Sequence, residues 1–472
     1  MLLNIYSNLK ENKIIKYING FLNSKYSMIT ILLLTGLSNL FSLEFVALYG
    51  YLIIIILATL FGNDMLSVMP ITFCAYISFS RKNNPAGYEQ TSIFLNDNTM
   101  LHFVVLCVLI GIFMITRFIY EMITHRKSLK KPQLLYGFAF LGLSFVLGGL
   151  FTKGYDLHDI FIGFLEIIGF SFVYFYFFFT VDWSKVNKTY CIKLLMGFGI
   201  VMSFEVLGVI YHSGFLTSEG NFNRGLLYTG WGTYNNLGGM VVIALCAPFY
   251  FACTKKNGFL YLLVATLFAL FILLSQSRNS ILCGGIIYLI CLGIIIKKRT
   301  GKERLYIIVT FITLLILGGI ILILNLDRIK ELFNSLIQAG SDDSGRFEIY
   351  KNGLIQFKDS FVFGKSFNAC EAFQWGQHSE NPIFPARYHN TYVQILASCG
   401  SVGIIAYLYH RYQTLKLYFK EINTEKIFLG MCIFSLILIS VLDCHLFNIG
   451  PALIYGGVLL CTEKLPKEKV NF

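Results

Sequence analysis

Three residues of this chain carry chemistry that the apolar runs around them do not call for, and charge near such runs is costly enough to suggest a use. Arg278 stands in LLSQSRNSILCGG, a tight polar break between two apolar runs. A guanidinium there can present a planar fork to phosphate oxygens at a cavity mouth, or it can reach lipid headgroups from an ordinary turn. Arg346 stands in SDDSGRFEIYKNGLIQF, in the first turn of an expected helix, where the dipole disfavours a cation. Either an anionic ligand wants it there or it pairs with Asp342 or Asp343. His389 opens RYHNTYVQILASCGSVG, where the chain returns to an apolar run. A neutral imidazole at that point can act as a general base or orient a hydroxyl, and an interfacial side chain is the plainer alternative. Arg387 and Asn390 are its immediate companions.

A fourth group is Arg224 in NFNRGLLYTGWGTYNNLGG, a stretch that also holds Asn236. Aromatic faces stack on sugar rings and amides bond hydroxyls, although the same composition makes an interfacial loop. No GxxxxGK[ST] loop or strand-borne GxGxxG occurs, so a nucleotide cofactor is not expected. Asp342–Asp343 are the only adjacent acids in the long polar stretch, and helix capping explains at least one of them. No catalytic metal and no cofactor is expected.

The elements that must position these residues are membrane spans. The chain has 472 residues, 56% hydrophobic and 14% charged, with a mean hydropathy of +0.65. A soluble chain of this length needs more polar surface, whereas lipid removes that need. Apolar runs of span length fall near 27–43, 45–62, 65–80, 101–124, 133–152, 157–181 and 190–212. They continue near 235–254, 258–276, 279–297, 303–325, 389–410, 427–443 and 447–462. The expected fold is an all-α polytopic bundle of about fourteen spans, give or take two, with one long, partly helical loop. Arg117 and Glu205 read as the only other charges well inside spans.

The net charge of +12 sits mostly in clusters between spans, such as HRKSLKK, KKRTGKER and Arg411 to Lys426. Alternating spans put these clusters and both termini on one side, which the positive-inside rule makes the cytoplasm. That pattern accounts for the charge without a nucleic-acid partner. Segments 81–100, 213–234 and 326–388 then lie outside. Within the last, Ile329, Leu332, Phe333, Leu336 and Ile337 predict an amphipathic helix over 327–338. A second helix begins after Asp343 or Ser344, with Phe347, Tyr350, Leu354 and Phe357 on one face. Most of the twelve cysteines lie in apolar runs and read as structural thiols, with a Cys370–Cys399 disulfide as one alternative. Residues 1–26 read as a basic cytoplasmic segment without a signal peptide.

Taken together, the Arg224-to-Asn236 segment, SRNS, SGRFEIYKNGLIQF…FGKSF and HNTYVQILASCGSVG resemble the O-antigen ligase superfamily. Its members are polymerases and ligases of bacterial surface polysaccharides. The likeness spans roughly residues 220–405, in order and spacing as well as in its pieces. It implies a glycosyltransferase-C-like membrane architecture and metal-independent glycosyl transfer at the outer face of a bacterial plasma membrane. The implied partners are an undecaprenyl-diphosphate-linked glycan donor, a glycan acceptor and membrane lipid, and a chain-length regulator is left open. By the resemblance, Arg278 and Arg346 bind the diphosphate and His389 engages the acceptor hydroxyl. Arg224, Arg387, Asn390 and Asn236 are substrate contacts on the same reading. It divides the chain into an N-terminal membrane region (27–212), a catalytic region (213–410) and C-terminal spans with a tail (411–472). Polymerisation is favoured over ligation to lipid A core or protein, because the N-terminal half is divergent and the composition rich in Asn, Ile and Lys. A flippase for lipid-linked oligosaccharides is the rival from another class, and an acyl or phospho-group transferase is a third. The lack of internal repeats speaks against transport.

Overall fold

Apolar runs without water must close their backbone hydrogen bonds internally, and helices do so within one segment. The computed structural model is accordingly helical, and describes residues 12–41, 43–79, 82–83, 90–91, 97–124, 131–213, 234–324, 346–368 and 387–465. Its first half runs α1 Lys13–Leu22, α2 Lys25–Phe41, α3 Glu44–Phe61, α4 Met69–Cys74, α5 Asp97–Thr124, α6 Leu135–Val146, α7 Leu157–Thr180 and α8 Tyr190–Ser213. Its second half runs α9 Tyr234–Ala244, α10 Cys246–Thr254, α11 Gly258–Leu274, α12 Arg278–Lys298, α13 Gly301–Leu324, α14 Arg346–Asp359, α15 Thr391–Phe419, α16 Thr424–Leu442 and α17 Ile449–Lys464. The strand pairing among the described residues is a two-residue antiparallel contact of Lys82–Asn83 (β1) with Gln90–Thr91 (β2).

Nine helical segments among the described residues are long and apolar enough to cross a membrane. Four shorter apolar stretches, together with α17, account for the remaining expected runs. The protein is a polytopic helical membrane protein. The span of α9 and α10 is 94% buried by neighbouring helices and that of α13 only 6%, so the former is central and the latter faces lipid.

Several spans depart from continuous helices, for local reasons. The run near 65–80 is broken into a 3-10 turn, α4 with Pro70 near its start, and a second 3-10 turn. The span near 235–254 is two helices meeting at Leu245, because Pro248 has no N–H to donate to Ala244. The expected run 133–152 stops being helical at Val146, and positive φ at Gly149, Phe151 and Gly154 turns the chain instead. Part of the polar N-terminal segment is helical, as α1 packs against α2 and α3. Arg117 pairs with Glu121 at 2.6 Å, one turn along α5. Cys399 is a free, fully buried thiol, which removes the alternative of a disulfide to Cys370. The expected helix over 327–338, Arg224 and Cys370 lie outside the described residues.

The break that matters most for the site is in α15. At Gly400 the backbone turns to φ 64°, ψ −156°, which leaves the next turn's amides without their helical acceptors. The segment 361–366 fills the gap. Ser401 N–H donates to Phe361 O (2.8 Å) and Val402 N–H to Val362 O (3.1 Å). In return Lys365 N–H donates to Ala397 O (2.8 Å) and Ser366 N–H to Ser398 O (3.0 Å). A loop strand thus replaces one turn of helix hydrogen bonding and ties the chain after α14 to α15.

Candidate functional site

The site is built where several helix ends meet. Asn390 caps α15, its side-chain oxygen accepting from Tyr392 N–H (2.9 Å) and Val393 N–H (3.1 Å). Its amide also donates to Val441 O at 2.7 Å, at the C-terminal end of α16. His389, just before the cap, has φ +51°, a left-handed conformation that is strained for a non-glycine residue. Its neighbours hold it there. Tyr350 of α14 donates its hydroxyl to His389 O at 3.1 Å. Tyr388 is fully buried, its N–H donating to Gln394 Oε1 (3.0 Å) and its hydroxyl to Gln356 of α14.

The His389 ring meets Asp443, the residue that ends α16, with Nδ1 3.1 Å from Oδ1. The Asp443 side chain is 12% exposed and the His389 side chain 34%. Burial pushes the Asp443 carboxyl up, but the His389 hydrogen bond, the two nearby imidazoles and the Cys444 N–H outweigh it. The result is a pKa of about 2. An ionised carboxylate can only accept, so Nδ1 carries the hydrogen and the lone pair of the neutral ring is on Nε2.

Arg346 opens α14, and its Nη1 donates to Leu442 O at 3.2 Å. Three successive residues of α16's end, Val441, Leu442 and Asp443, therefore take Asn390, Arg346 and His389. A helix C-terminus carries excess negative charge, which favours a guanidinium beside it. The first turn of α14 is thus compatible with Arg346 because another helix compensates.

Arg278 is exposed in the first turn of α12, after the N-cap Ser277. Asn279 donates to Ile439 O at 3.0 Å, which brings this turn to the same end of α16. Ser280 Oγ reaches Asn235 O at 3.4 Å, and Asn236 Oδ1 accepts from Asn448 Nδ2 at 2.8 Å. Arg278, Arg346, His389, Asn390 and Asn236 thus gather around α16's end and the turn that follows it. Arg387 is taken up in a buried ion pair: it pairs with Glu166 of α7 and lies 5.3 Å over the ring of Phe447, in the turn after α16. Among the described residues no three His, Cys, Asp or Glu side chains are grouped to hold a metal ion.

Three participants were not singled out from sequence. Asp443 lies in VLDCHLFNIG, at the very end of the apolar run expected near 427–443. His445 follows, buried in a 3-10 turn and packed so closely on Gly239 that a Cβ there would lie 2.3 Å from its Nε2. Burial pulls its pKa down against the opposing charge of Asp443, which favours the neutral ring. Glu166 sits in the middle of α7, and with Glu121 it corrects the reading that Arg117 and Glu205 are the only further charges inside spans.

No curated protein matches the chain. The family model described as O-antigen ligase matches residues 262–408, about a third of the chain, from α11 to the middle of α15. The matched region includes Arg278, Arg346 and His389, whereas Asp443 lies beyond it. Over this region the chain is similar to the O-antigen ligase family.

Proposed function

We propose that the protein is a membrane glycosyltransferase that joins lipid-diphosphate-linked saccharide repeat units into a longer surface glycan, working at the end of the bundle where His389 lies. The observation that carries the reading is the His389–Asp443 pair, set at the same helix end that receives Arg346. In the proposed step, an acceptor sugar hydroxyl approaches His389 Nε2. Its oxygen bonds to the donor's anomeric carbon as its proton passes to Nε2, and the C1–O bond to the diphosphate breaks. Asp443 holds the ring in the tautomer this needs and stabilises the imidazolium that forms. Arg278 and Arg346 balance the charge that develops on the leaving lipid diphosphate. Asn236 and Arg224 are proposed glycan contacts. Arg387 and Asn390 serve by fixing the chain on either side of His389. No nucleotide is needed, because the donor arrives activated in the membrane, with undecaprenyl as the proposed lipid and the outer face of a bacterial plasma membrane as the proposed location.

The test is elongation by the purified protein of an undecaprenyl-diphosphate-linked repeat unit, followed as a ladder on a gel. A ladder lost in His389→Ala supports the reading. Transfer of a single unit to a lipid A core or protein, without a ladder, replaces polymerase by ligase. Movement of the lipid across a bilayer with no new glycosidic bond replaces both by a transporter.

A further inference from the structure

The opposite end of the bundle, which carries KKRTGKER and Lys255–Lys256, holds a cavity of about 450 Å³. Its walls come from the turn before α8, the C-terminal ends of α10 and α12, and the first turn of α16. Two ammonium groups face it, Lys188 and Lys298, against one carboxylate, Glu425. That carboxylate is already engaged: it accepts from the Tyr250 hydroxyl at 2.9 Å and lies 3.3 Å from Lys188 Nζ, with its side chain 5% exposed. Lys298, by contrast, is exposed and donates to the Thr424 hydroxyl at 2.9 Å. The hydroxyls of Thr254 and Thr424 add two more polar groups to the wall. The lining therefore keeps a net positive charge and donors suited to an anion, at a helix N-terminus of matching sign.

The rim shows what kind of anion. Ile422, at the edge of the cavity, is 59% exposed. Leading up to it, Leu408, Tyr412, Leu415 and Phe419 follow one another at helical spacing along α15, each more than half exposed. On a membrane-spanning helix such a stripe faces acyl chains. A charged hollow at the head of a lipid-facing stripe matches an amphiphile whose head is anionic and whose tail is apolar.

We infer that this cavity binds the phosphate headgroup of an anionic phospholipid from the leaflet at the basic end, with the acyl chains laid along the α15 stripe. The site is distinct from the one around His389 and does not depend on the proposed reaction. Lys298 is the residue to change, because Lys188 also serves the buried Glu425. Protein purified in detergent is titrated with phosphatidylglycerol, phosphatidylcholine or soluble glycerol 3-phosphate, and bound ligand is counted by native mass spectrometry. Phosphatidylglycerol should bind in preference to the other two. Lys298→Gln should weaken it about fivefold, the worth of one lysine beside an anionic headgroup, and Lys298→Arg should retain it. Ile422→Asp, which keeps both lysines, should weaken it as well. Equal binding of phosphatidylcholine, unchanged binding in both Lys298→Gln and Ile422→Asp, or glycerol 3-phosphate binding as tightly as the lipid overturns the inference.

Discussion

His389 and Asp443 meet across 54 residues of sequence, with the imidazole Nδ1 3.1 Å from a carboxylate that stays ionised down to about pH 2. The contact fixes both the rotation of the ring and its tautomer, and neither is set by the chain around His389 alone. Asp443→Asn keeps the shape but can bond the ring in either tautomer. In the elongation assay it should lower kcat by roughly 10²-fold or more, with KM for the lipid-linked donor changed much less. Wild-type kcat in Asp443→Asn sinks the role given to this pair.

The same carboxylate should leave its mark on acid stability. Its pKa is depressed from 3.8 to about 2 on folding, so the folded state gains when the group is ionised. That gain is complete above about pH 5 and is lost as pH falls through the folded value. Its size is about 2 kcal/mol. Thermal unfolding of the detergent-solubilised protein and of Asp443→Asn, followed from pH 7 to pH 2, should show the gap between them narrowing only below about pH 4. A gap that does not change with pH contradicts the electrostatic assignment.

The two arginines invite a sharper comparison than removal. Lysine keeps the charge at 278 or 346 but not the planar fork, and a diphosphate rewards the fork. Arg278→Lys and Arg346→Lys should each lower kcat/KM about 10-fold to 100-fold, and the alanine variants should lose more. Arg346→Lys also forfeits a rigid donor to Leu442 O. If lysine serves as well as arginine at both positions, these side chains act as diffuse charge and not as phosphate clamps.

How much of this was legible beforehand depends on which interaction set each feature. Apolar run length located the spans, because the demand for internal hydrogen bonding leaves few alternatives. It could not show that the run at 235–254 is two helices or that α15 breaks at Gly400, since the length of a run does not report where its helix is interrupted. Arg278, Arg346 and His389 were visible as polar residues that their neighbours do not explain. Asp443 was harder, as a single acid in a turn looks like a cap until the fold shows what lies opposite. Glu166 was readable, because a carboxylate ten residues into an apolar helix needs a partner. Only the structure names that partner as Arg387.

The Glu166–Arg387 pair makes a prediction about stability. Its side chains are 10% and 18% exposed, so each charge is largely removed from water. Glu166→Gln leaves a buried guanidinium without its counter-charge and should cost about 3–5 kcal/mol, read as a lower unfolding temperature in detergent. Pairing it with Arg387→Met removes the stranded charge and should recover much of the loss. A double variant no more stable than Glu166→Gln shows that Arg387 is held by its other contacts, including the Phe447 ring.

The junction of segment 361–366 with α15 should be intolerant of a single methyl group. Gly400 and Gly364 both have positive φ, and an added Cβ would lie 2.4 Å from Val362 O in the first case and 2.4 Å from the Ser398 carbonyl carbon in the second. Neither obstacle is a flexible side chain, so the backbone itself must move. Moving it strains the four hydrogen bonds that replace the missing turn of α15. Gly400→Ala and Gly364→Ala should each cost about 2 kcal/mol or more. Because the junction ties the chain after α14 to the helix that follows His389, each should also lower elongation activity at temperatures where the fold persists. Gly318, in the lipid-facing α13, has nothing within 4 Å of its Cβ position and provides the control. Gly318→Ala should leave both measurements unchanged, and equal losses at all three positions argue that α13 packing, not this junction, governs the site.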